Sequence, residues 1–209
     1  MIFKPNHIYH IYNQGNNRQK IFFNRENYLF FLKKIGEHIL PFADILAWCL
    51  MPNHFHLMMA VSVQDQNEQA TLSPNDRVSV FKDNNSPAHY KKLNNSIATM
   101  LSSYTRAINI QQKRTGSLFR EGTKAVELGS IESEKMKYQK CIANTAGIAR
   151  NLDEEQLQTC FRYIHENPIK AGLTKQIVDW DFSSAPDIIG IRRGALINKK
   201  LIEELGLYL

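Results

Sequence analysis

The eight-residue run Met51–Met58, MPNHFHLM, places the tightest limits on how this chain can fold. Apolar residues flank it on both sides, and each flank has the length and composition of a buried β-strand. The Pro-Asn pair inside the run is a turn signal, so the two flanks are predicted to be neighbouring strands. Residues at i and i+2 on a strand point to the same face. This spacing predicts that His54 and His56 project side by side from a sheet.

The hydrophobic patterns along the first half of the chain read, in order, as strand, helix, strand, strand, helix and strand. That order predicts an α+β fold of the ferredoxin-like kind, an antiparallel sheet with helices on one face and extra C-terminal helices. The other face of the sheet would then be open and free to present the two histidines. The predicted strands are 7–14, 43–51, 54–63 and one starting near 117, and the predicted helices are 24–40, 93–113, 131–149, 153–166 and 198–205.

Length and composition predict one domain over residues 1–209, with a long polar excursion at about 64–90 and added helices at about 131–166. Hydrophobic residues make up 43% of the chain, as in soluble globular proteins, and no apolar run is long enough to span a bilayer. Three scattered cysteines and the lack of an apolar leader predict a reducing, cytoplasmic location. No protein partner is evident.

Positive charge is concentrated in one part of the chain. The formal net charge is +6, and between Ser86 and Ala125 the only acidic residue is Glu121. A basic stripe of this kind is typical of a polyphosphate partner, although a solvated helix face gives the same pattern. The basic residues of this segment are Lys91, Lys92, Arg106, Lys113, Arg114, Arg120 and Lys124.

The two strand histidines allow two interpretations. Neighbouring imidazoles on one strand face can bind a single divalent cation. A pair of half-exposed histidines that make hydrogen bonds and hold no metal also fits the spacing, and the spacing alone favours this second interpretation. The choice between a metal-binding and a metal-free pair therefore depends on the residues around the two histidines.

Those surroundings resemble a known family. The run Met51–Met58 is similar to the HUH motif of the single-tyrosine HUH transposases, in which U is a bulky apolar residue. Three more segments, 9–19, 116–120 and 163–184, resemble the REP-associated tyrosine transposase branch in the same order along the chain. The resemblance implies a single HUH transposase-like domain that acts on single-stranded or hairpin DNA.

The resemblance also implies a mechanism. In the family, the two histidines, here His54 and His56, hold Mg²⁺ or Mn²⁺ against a phosphate of single-stranded DNA. A tyrosine attacks that phosphate, which leaves a covalent 5′-phosphotyrosine and a free 3′-hydroxyl. Hard cations prefer oxygen ligands, so a third ligand is expected. Glu127 and Glu121 are the nearest candidates in sequence, and for each of them a plain surface acid is the favoured interpretation.

The expected nucleophile is missing from the position that the resemblance assigns to it. Aligned on the preceding Leu-Phe pair, that position holds Thr123, whose hydroxyl is shorter and far less acidic than a phenol. Tyr138, on the next predicted helix, is the candidate replacement. Tyr104 and Tyr163 are assigned structural roles, in an apolar helix stripe and in a Tyr-Ile-His-Glu-Asn-Pro segment. The alternative is a catalytically inactive derivative that acts as a DNA-binding module.

Binding of single-stranded DNA would survive the loss of the nucleophile, because basic residues can follow phosphates while aromatic residues stack on bases. A third interpretation is a metal-dependent hydrolase of small phosphoesters, which would need further ligands near the two histidines. The candidates for contact with the DNA backbone are Arg18, Lys20, Arg114, Arg120 and Lys124.

Overall fold

The computed structural model describes residues 3–61, 87–133, 135 and 152–209. Its centre is a four-stranded sheet in the order β2-β3-β1-β4, and every neighbouring pair is antiparallel. This arrangement confirms the predicted α+β fold with an antiparallel sheet. The strands are β1 (His7–Gln14), β2 (Ala43–Met51), β3 (His54–Val61) and β4 (Lys124–Ser130).

Two helices cover one face of the sheet. Helix α1 (Arg25–His38) begins at a capping box, in which the side chains of Asn24 and Asn27 each bond the other's backbone N–H. Helix α2 (Pro87–Gln111) packs beside it. Alternate residues of β3 reach this layer, as predicted, and Phe55 is fully buried there against aromatic side chains from α1 and from the residues that precede β4.

The second face of the sheet is also covered, so the open face predicted from the sequence is not found. Helix α3 (Leu152–Lys170) and the short helix α5 (Lys199–Glu204) pack on it. The physical reason is the composition of β2 and β3, which are apolar on both faces and need cover on both. The buried residues of this second core include Ile8, Met58, Ala60, Leu157, Phe161, Ile164, Leu201 and Ile202.

Helix α3 runs past the stop predicted at Asn167 and Pro168. It continues to Lys170, because a proline so close to the C-terminal end removes little of the helical hydrogen bonding. The turn closes through hydrogen bonds from the backbone N–H of Ala171 to the carbonyl of Asn167 and from Leu173 to Pro168. Asn167 therefore stays helical and shares a face with the residue four positions earlier.

The remaining described elements join these layers. A 3-10 turn (Asn16–Arg18) follows β1, and a second one (Ile177–Asp179) and helix α4 (Ala185–Ile188) follow α3. Residues 62–86 of the predicted excursion and most of the predicted helix 131–149 lie outside the described residues. None of the helices in the described ranges has both the length and the apolar character needed to cross a lipid bilayer.

The link between β1 and the β2–β3 turn depends on a close approach at Gly15, whose backbone N–H donates to the Asn53 carbonyl at 2.8 Å. Its φ and ψ of −59° and 141° suit any residue. A β-carbon at this position, however, would lie 2.3 Å from the Gln19 carbonyl oxygen. The lack of space, and not the backbone conformation, requires glycine.

We therefore expect Gly15→Ala to lower the free energy of unfolding by about 1–3 kcal/mol, the usual cost of overpacking. Gly36→Ala is the matched control, because its β-carbon would meet only Leu196 Cδ2 at an ordinary 3.7 Å inside α1. That change should instead stabilise the protein by about 0.5–1 kcal/mol. Urea unfolding of both variants measures the difference, and equal effects would show that Gly15 is not under steric constraint.

Candidate functional site

The two histidines of the HUH motif lie side by side at the start of β3. Their ring centroids are 5.0 Å apart and the ring planes are nearly perpendicular. Residues of β1 lie opposite them, with Tyr12 paired to His56 and Gln14 paired to His54. His56 is buried, with only 5% of its surface exposed, whereas His54 at the end of the strand is half-buried. Both rings border one cavity of about 340 Å³.

A third histidine fixes the orientation of His56. His10 on β1 stacks against it, and a hydrogen bond of 2.9 Å joins His10 Nε2 to His56 Nδ1. The other nitrogen of His56, Nε2, is buried and has no hydrogen-bond partner in the part of the chain that the structure describes. An orphaned buried N–H is rarer than an orphaned acceptor, so we assign the proton of His56 to Nδ1 and a lone pair to Nε2.

Burial keeps both rings of this pair neutral. Loss of solvent lowers the pKa of His10 to about 4. Loss of solvent also lowers the pKa of His56, to about 2, and the nearby His10 and His54 rings add to that shift. At neutral pH, His56 therefore offers an uncharged nitrogen, which is the form that binds a metal ion.

The second motif histidine, His54, faces oxygen atoms on both sides. Its Nδ1 lies 2.6 Å from the Asn53 side-chain oxygen, whose orientation is set because Asn53 Nδ2 donates to the Arg18 carbonyl. Burial lowers the pKa of His54, and a hydrogen bond with the Asn167 side chain opposes that shift. Because Nδ1 is already engaged, the contact with Asn167 falls on Nε2.

The amide of Asn167 also has a defined orientation. Its Nδ2 donates to the Tyr163 carbonyl at 2.7 Å, so we assign Oδ1 to the contact with His54. Two acceptors then meet, the lone pair of His54 Nε2 and Oδ1. Only a protonated ring or a cation between them can satisfy both, and burial disfavours the protonated ring.

Three atoms at this point form a donor set suited to a divalent cation. His54 Nε2, His56 Nε2 and Asn167 Oδ1 offer two nitrogens and one oxygen, a combination that Mn²⁺ or Mg²⁺ can accept with water completing the shell. Within the described ranges, no three His, Cys, Asp or Glu side chains come together as a metal site. The amide oxygen of Asn167 is thus a third ligand that the described residues can supply.

The predicted third ligand Glu127 lies on the wrong face of the sheet. It pairs with Tyr9, whose side chain packs in the core under α1 and α2, and directly paired residues share a face. Its carboxylate instead binds Lys4 Nζ at 2.9 Å and His7 Nδ1 at 2.8 Å. The pairing of β1 and β4 is regular from Lys124 to Glu127, and its one register shift comes after Glu127. Glu121, the other candidate acid, borders the histidine cavity.

Tyr163, for which the sequence predicts a structural role, borders this cavity from the helix side. Tyr163 of α3 has its ring centroid 5.4 Å from that of His56 and 6.3 Å from that of His10, and 39% of its surface is exposed. Lys170 Nζ lies 5.1 Å from the centre of its ring. A phenol therefore shares one cavity with His54 and His56.

Buried hydrogen bonds hold α3 at this distance from the sheet. His165, which is fully buried, lies between Tyr163 and Asn167 in sequence. Its Nδ1 donates to the Phe161 carbonyl and its Nε2 bonds Ser184 Oγ, both at 2.8 Å. Ser184 Oγ in turn accepts from the backbone N–H of Trp48 in β2 at 2.9 Å. The helix is thus tied to the sheet next to the residues that face the cavity.

Of the two predicted nucleophile positions, the structure describes only Thr123, which does not border the histidine cavity. Thr123 accepts a hydrogen bond from Asn13 Nδ2 at 3.0 Å and borders a neighbouring groove instead of the histidine cavity. Tyr138 lies outside the described residues. Tyr104 is buried and donates from its hydroxyl to the Ile21 carbonyl, so its assigned structural role fits the structure. The i, i+4 spacing of Tyr163 and Asn167 on one helix was the signal that the sequence offered.

The basic residues predicted to contact DNA divide into two groups. Arg120 and Lys124 border the histidine cavity, and Arg120 also borders the neighbouring groove together with Arg114. Arg18 and Lys20 are exposed near the turn that carries Asn53, and they line neither cavity.

Among known proteins, this chain is similar to a solved structure but matches no family model. No protein-family model matches the chain, and no curated protein matches it. The structure is similar to a solved one described as "Structure of the REP associates tyrosine transposase bound to a REP hairpin". The match covers 91% of this chain and 82% of that chain, with 15% sequence identity and a TM-score of 0.49.

Proposed function

We propose that this chain cleaves and rejoins single-stranded DNA with a divalent cation and a tyrosine nucleophile. The observation that carries the proposal is the shared cavity, which Tyr163 enters from α3 while His54 and His56 enter from β3. Nucleophile and metal-binding nitrogens on opposite walls leave room for a phosphate between them. The motif resemblance of the sequence points to the same chemistry.

In this proposal, His54, His56 and Asn167 would hold Mg²⁺ or Mn²⁺. When bound, the cation would offset the negative charge that builds on a phosphate oxygen during attack. His10 Nε2 would keep His56 Nε2 free as a ligand by accepting a hydrogen bond from the Nδ1–H of His56. The tie of His165 to Ser184 would hold the amide and the phenol in place on α3.

The covalent step would belong to Tyr163. Its phenolic oxygen would attack phosphorus and give up its proton to water, while the bond from phosphorus to the 3′-oxygen breaks. The leaving 3′-oxygen would take up a proton, so the products would be a 5′-phosphotyrosine and a 3′-hydroxyl. Reversal of these steps on a second 3′-hydroxyl would rejoin the strand. Arg120 and Lys124 at the cavity edge would bind flanking phosphates.

The inactive DNA-binding module was predicted because Thr123 stands where a tyrosine was expected. That reason weakens, because Thr123 borders the neighbouring groove and another tyrosine faces the histidines. The proposal places the reaction in the cytoplasm, where the free thiols of Cys49 and Cys160 would stay reduced.

The test is the formation of a covalent adduct. Purified protein is incubated with hairpin-flanked single strands labelled at the 3′ end, with Mn²⁺ or with EDTA, and separated under denaturing conditions. We expect a labelled protein band with Mn²⁺ and none with EDTA. Binding of the same strands with no adduct in the presence of Mn²⁺ would refute cleavage and leave the DNA-binding module.

His10→Phe is expected to weaken Mn²⁺ binding by about 10–100-fold, because loss of the second ring frees His56 to adopt the wrong tautomer. His10→Gln keeps an acceptor oxygen and should restore part of the affinity. Titration of the DNA-free protein, followed by Mn²⁺ electron paramagnetic resonance, measures both. His38→Phe, which removes a histidine near the end of α1 that contacts Ser96, is the matched control. Equal affinity in all variants would remove His10 from the site.

A further inference from the structure

A second groove runs beside the histidine cavity, between α2 and residues 114–123. It has a volume of about 800 Å³. Asn13, Arg120 and Gly122 border both spaces, so the two adjoin each other. We infer that this groove binds the nucleotides of single-stranded DNA that adjoin the cleaved bond and reads at least one of their bases. This inference rests on the proposed function and specifies the path of its substrate.

The charge of the groove fits a nucleic-acid strand. Arg106 on α2 and Arg114 and Arg120 after it contribute three guanidinium groups to its lining, which includes no acidic side chain. Guanidinium groups bind phosphates with paired hydrogen bonds. Arg106 is exposed, so its charge is free to meet a strand that enters from solvent.

The apolar part of the lining suits bases. Leu101, Phe119 and Ile110 border the groove, and Ile110 leaves 72% of its surface exposed. Cations beside apolar faces are the combination that holds single strands, because phosphates and bases are both accessible there. A duplex keeps its bases stacked inside and would offer nothing to these side chains, which favours an unpaired strand as the occupant.

The wall of the groove is rigid and carries unpaired polar atoms. Asn109 Nδ2 donates to the Gly116 carbonyl at 2.8 Å, and Arg114 Nη2 donates to the Ser117 carbonyl at 3.2 Å. The other ends of these two side chains, Asn109 Oδ1 and Arg114 Nη1, are buried and have no partner among the described residues. One acceptor and one donor on a fixed wall can recognise the edge of a base.

The path of the strand is tested by Arg106→Ala in binding assays with EDTA, so that cleavage plays no part. Fluorescence anisotropy with a labelled single strand should show an affinity loss on the order of tenfold, as for a lost charged hydrogen bond. The slope of log affinity against log salt should fall by about 0.7, as for one lost phosphate contact. Arg193→Ala, at an exposed arginine that borders neither space, should change neither value.

Base reading is tested by Arg114→Lys, which keeps the charge and removes the guanidinium fork. Wild-type protein should prefer some bases next to the cleaved bond by roughly tenfold, and the variant should lose most of that preference. Equal effects of Arg106→Ala and Arg193→Ala would overturn the inference even if the adduct forms. Conversely, groove-dependent binding without any adduct would retain the groove and reject the cleavage chemistry.

Discussion

Tyr163→Phe is expected to abolish the covalent protein–DNA adduct completely while DNA binding persists. The ring would keep its packing 5.4 Å from His56, and only the phenolic oxygen would be lost. No other group of that side chain can form a bond to phosphorus. Binding should weaken no more than a few-fold, since one neutral hydrogen bond contributes about 1 kcal/mol. Denaturing gels for the adduct and anisotropy for binding give the two readouts.

Tyr12→Phe is the matched control for this experiment. Tyr12 borders the same cavity, with its ring centroid 5.8 Å from that of His56. It stands beside the histidines on the sheet, tilted 31° to His10 and 35° to His56, whereas Tyr163 approaches from the helix across the cavity. The Tyr12 variant should still form the adduct. An adduct that survives Tyr163→Phe but disappears with Tyr12→Phe or Tyr138→Phe would assign the nucleophile elsewhere.

The sheet was predictable because its signals are local. Alternation and turn residues gave the bounds of β1 and β2 as the structure has them, and gave β3 to within two residues. The cover on its second face was not foreseen. Apolar periodicity shows that a helix such as α3 has a buried stripe, but it carries no information on which face of a sheet that stripe meets. Which face of the sheet the helix covers is determined by contacts between elements that are far apart in the sequence.

The site residues likewise fall into those predictable from local sequence and those placed by packing between distant elements. His54 and His56 follow from spacing within one strand, and their shared face is as predicted. Tyr163 and Asn167 come from a helix that begins about 90 residues later, and their position depends on how His165 locks that helix to β2. Glu127 was misplaced because it was chosen by nearness in the sequence, whereas its regular pairing with Tyr9 of β1 puts it on the other face of the sheet. Each error concerns an interaction between elements.

Acidification from pH 7 to pH 5 is expected to destabilise the metal-free protein steeply. Burial lowers the pKa values of His10 and His165 to about 4 and that of His56 to about 2. The folded chain therefore keeps these rings neutral at pH values where the unfolded chain, with ordinary histidines near pH 6.5, binds protons. Above pH 6.5 these neutral rings do not reduce the free energy of unfolding. As the pH falls from 6.5 towards 4, the unfolded chain binds protons that the folded chain does not, and the free energy of unfolding decreases.

The expected size of this effect follows from the number of protons taken up on unfolding. Each histidine contributes a slope of about 1.4 kcal/mol per pH unit, so the three together approach about 4 kcal/mol per unit. Between pH 6.5 and pH 5 the loss amounts to about 6 kcal/mol, a large part of the about 5–15 kcal/mol by which a typical domain is stable. The carboxylates with lowered pKa values, Glu37, Glu127 and Glu204, titrate below 4.5 and leave the window from 6.5 to 4.5 to the histidines.

Urea unfolding in EDTA at half-unit steps of pH measures the slope directly. His10→Gln removes one of the three rings and should reduce the slope by about one third, although its stability at pH 7 also changes. The comparison therefore uses the slope of the unfolding free energy against pH, and not the unfolding free energy at any one pH. A free energy of unfolding that does not change between pH 7 and pH 5 would mean that these rings take up protons in the folded chain as readily as in the unfolded chain. The packing of α3 over the histidine face would then be looser than the hydrogen bonds of His165 and His56 require.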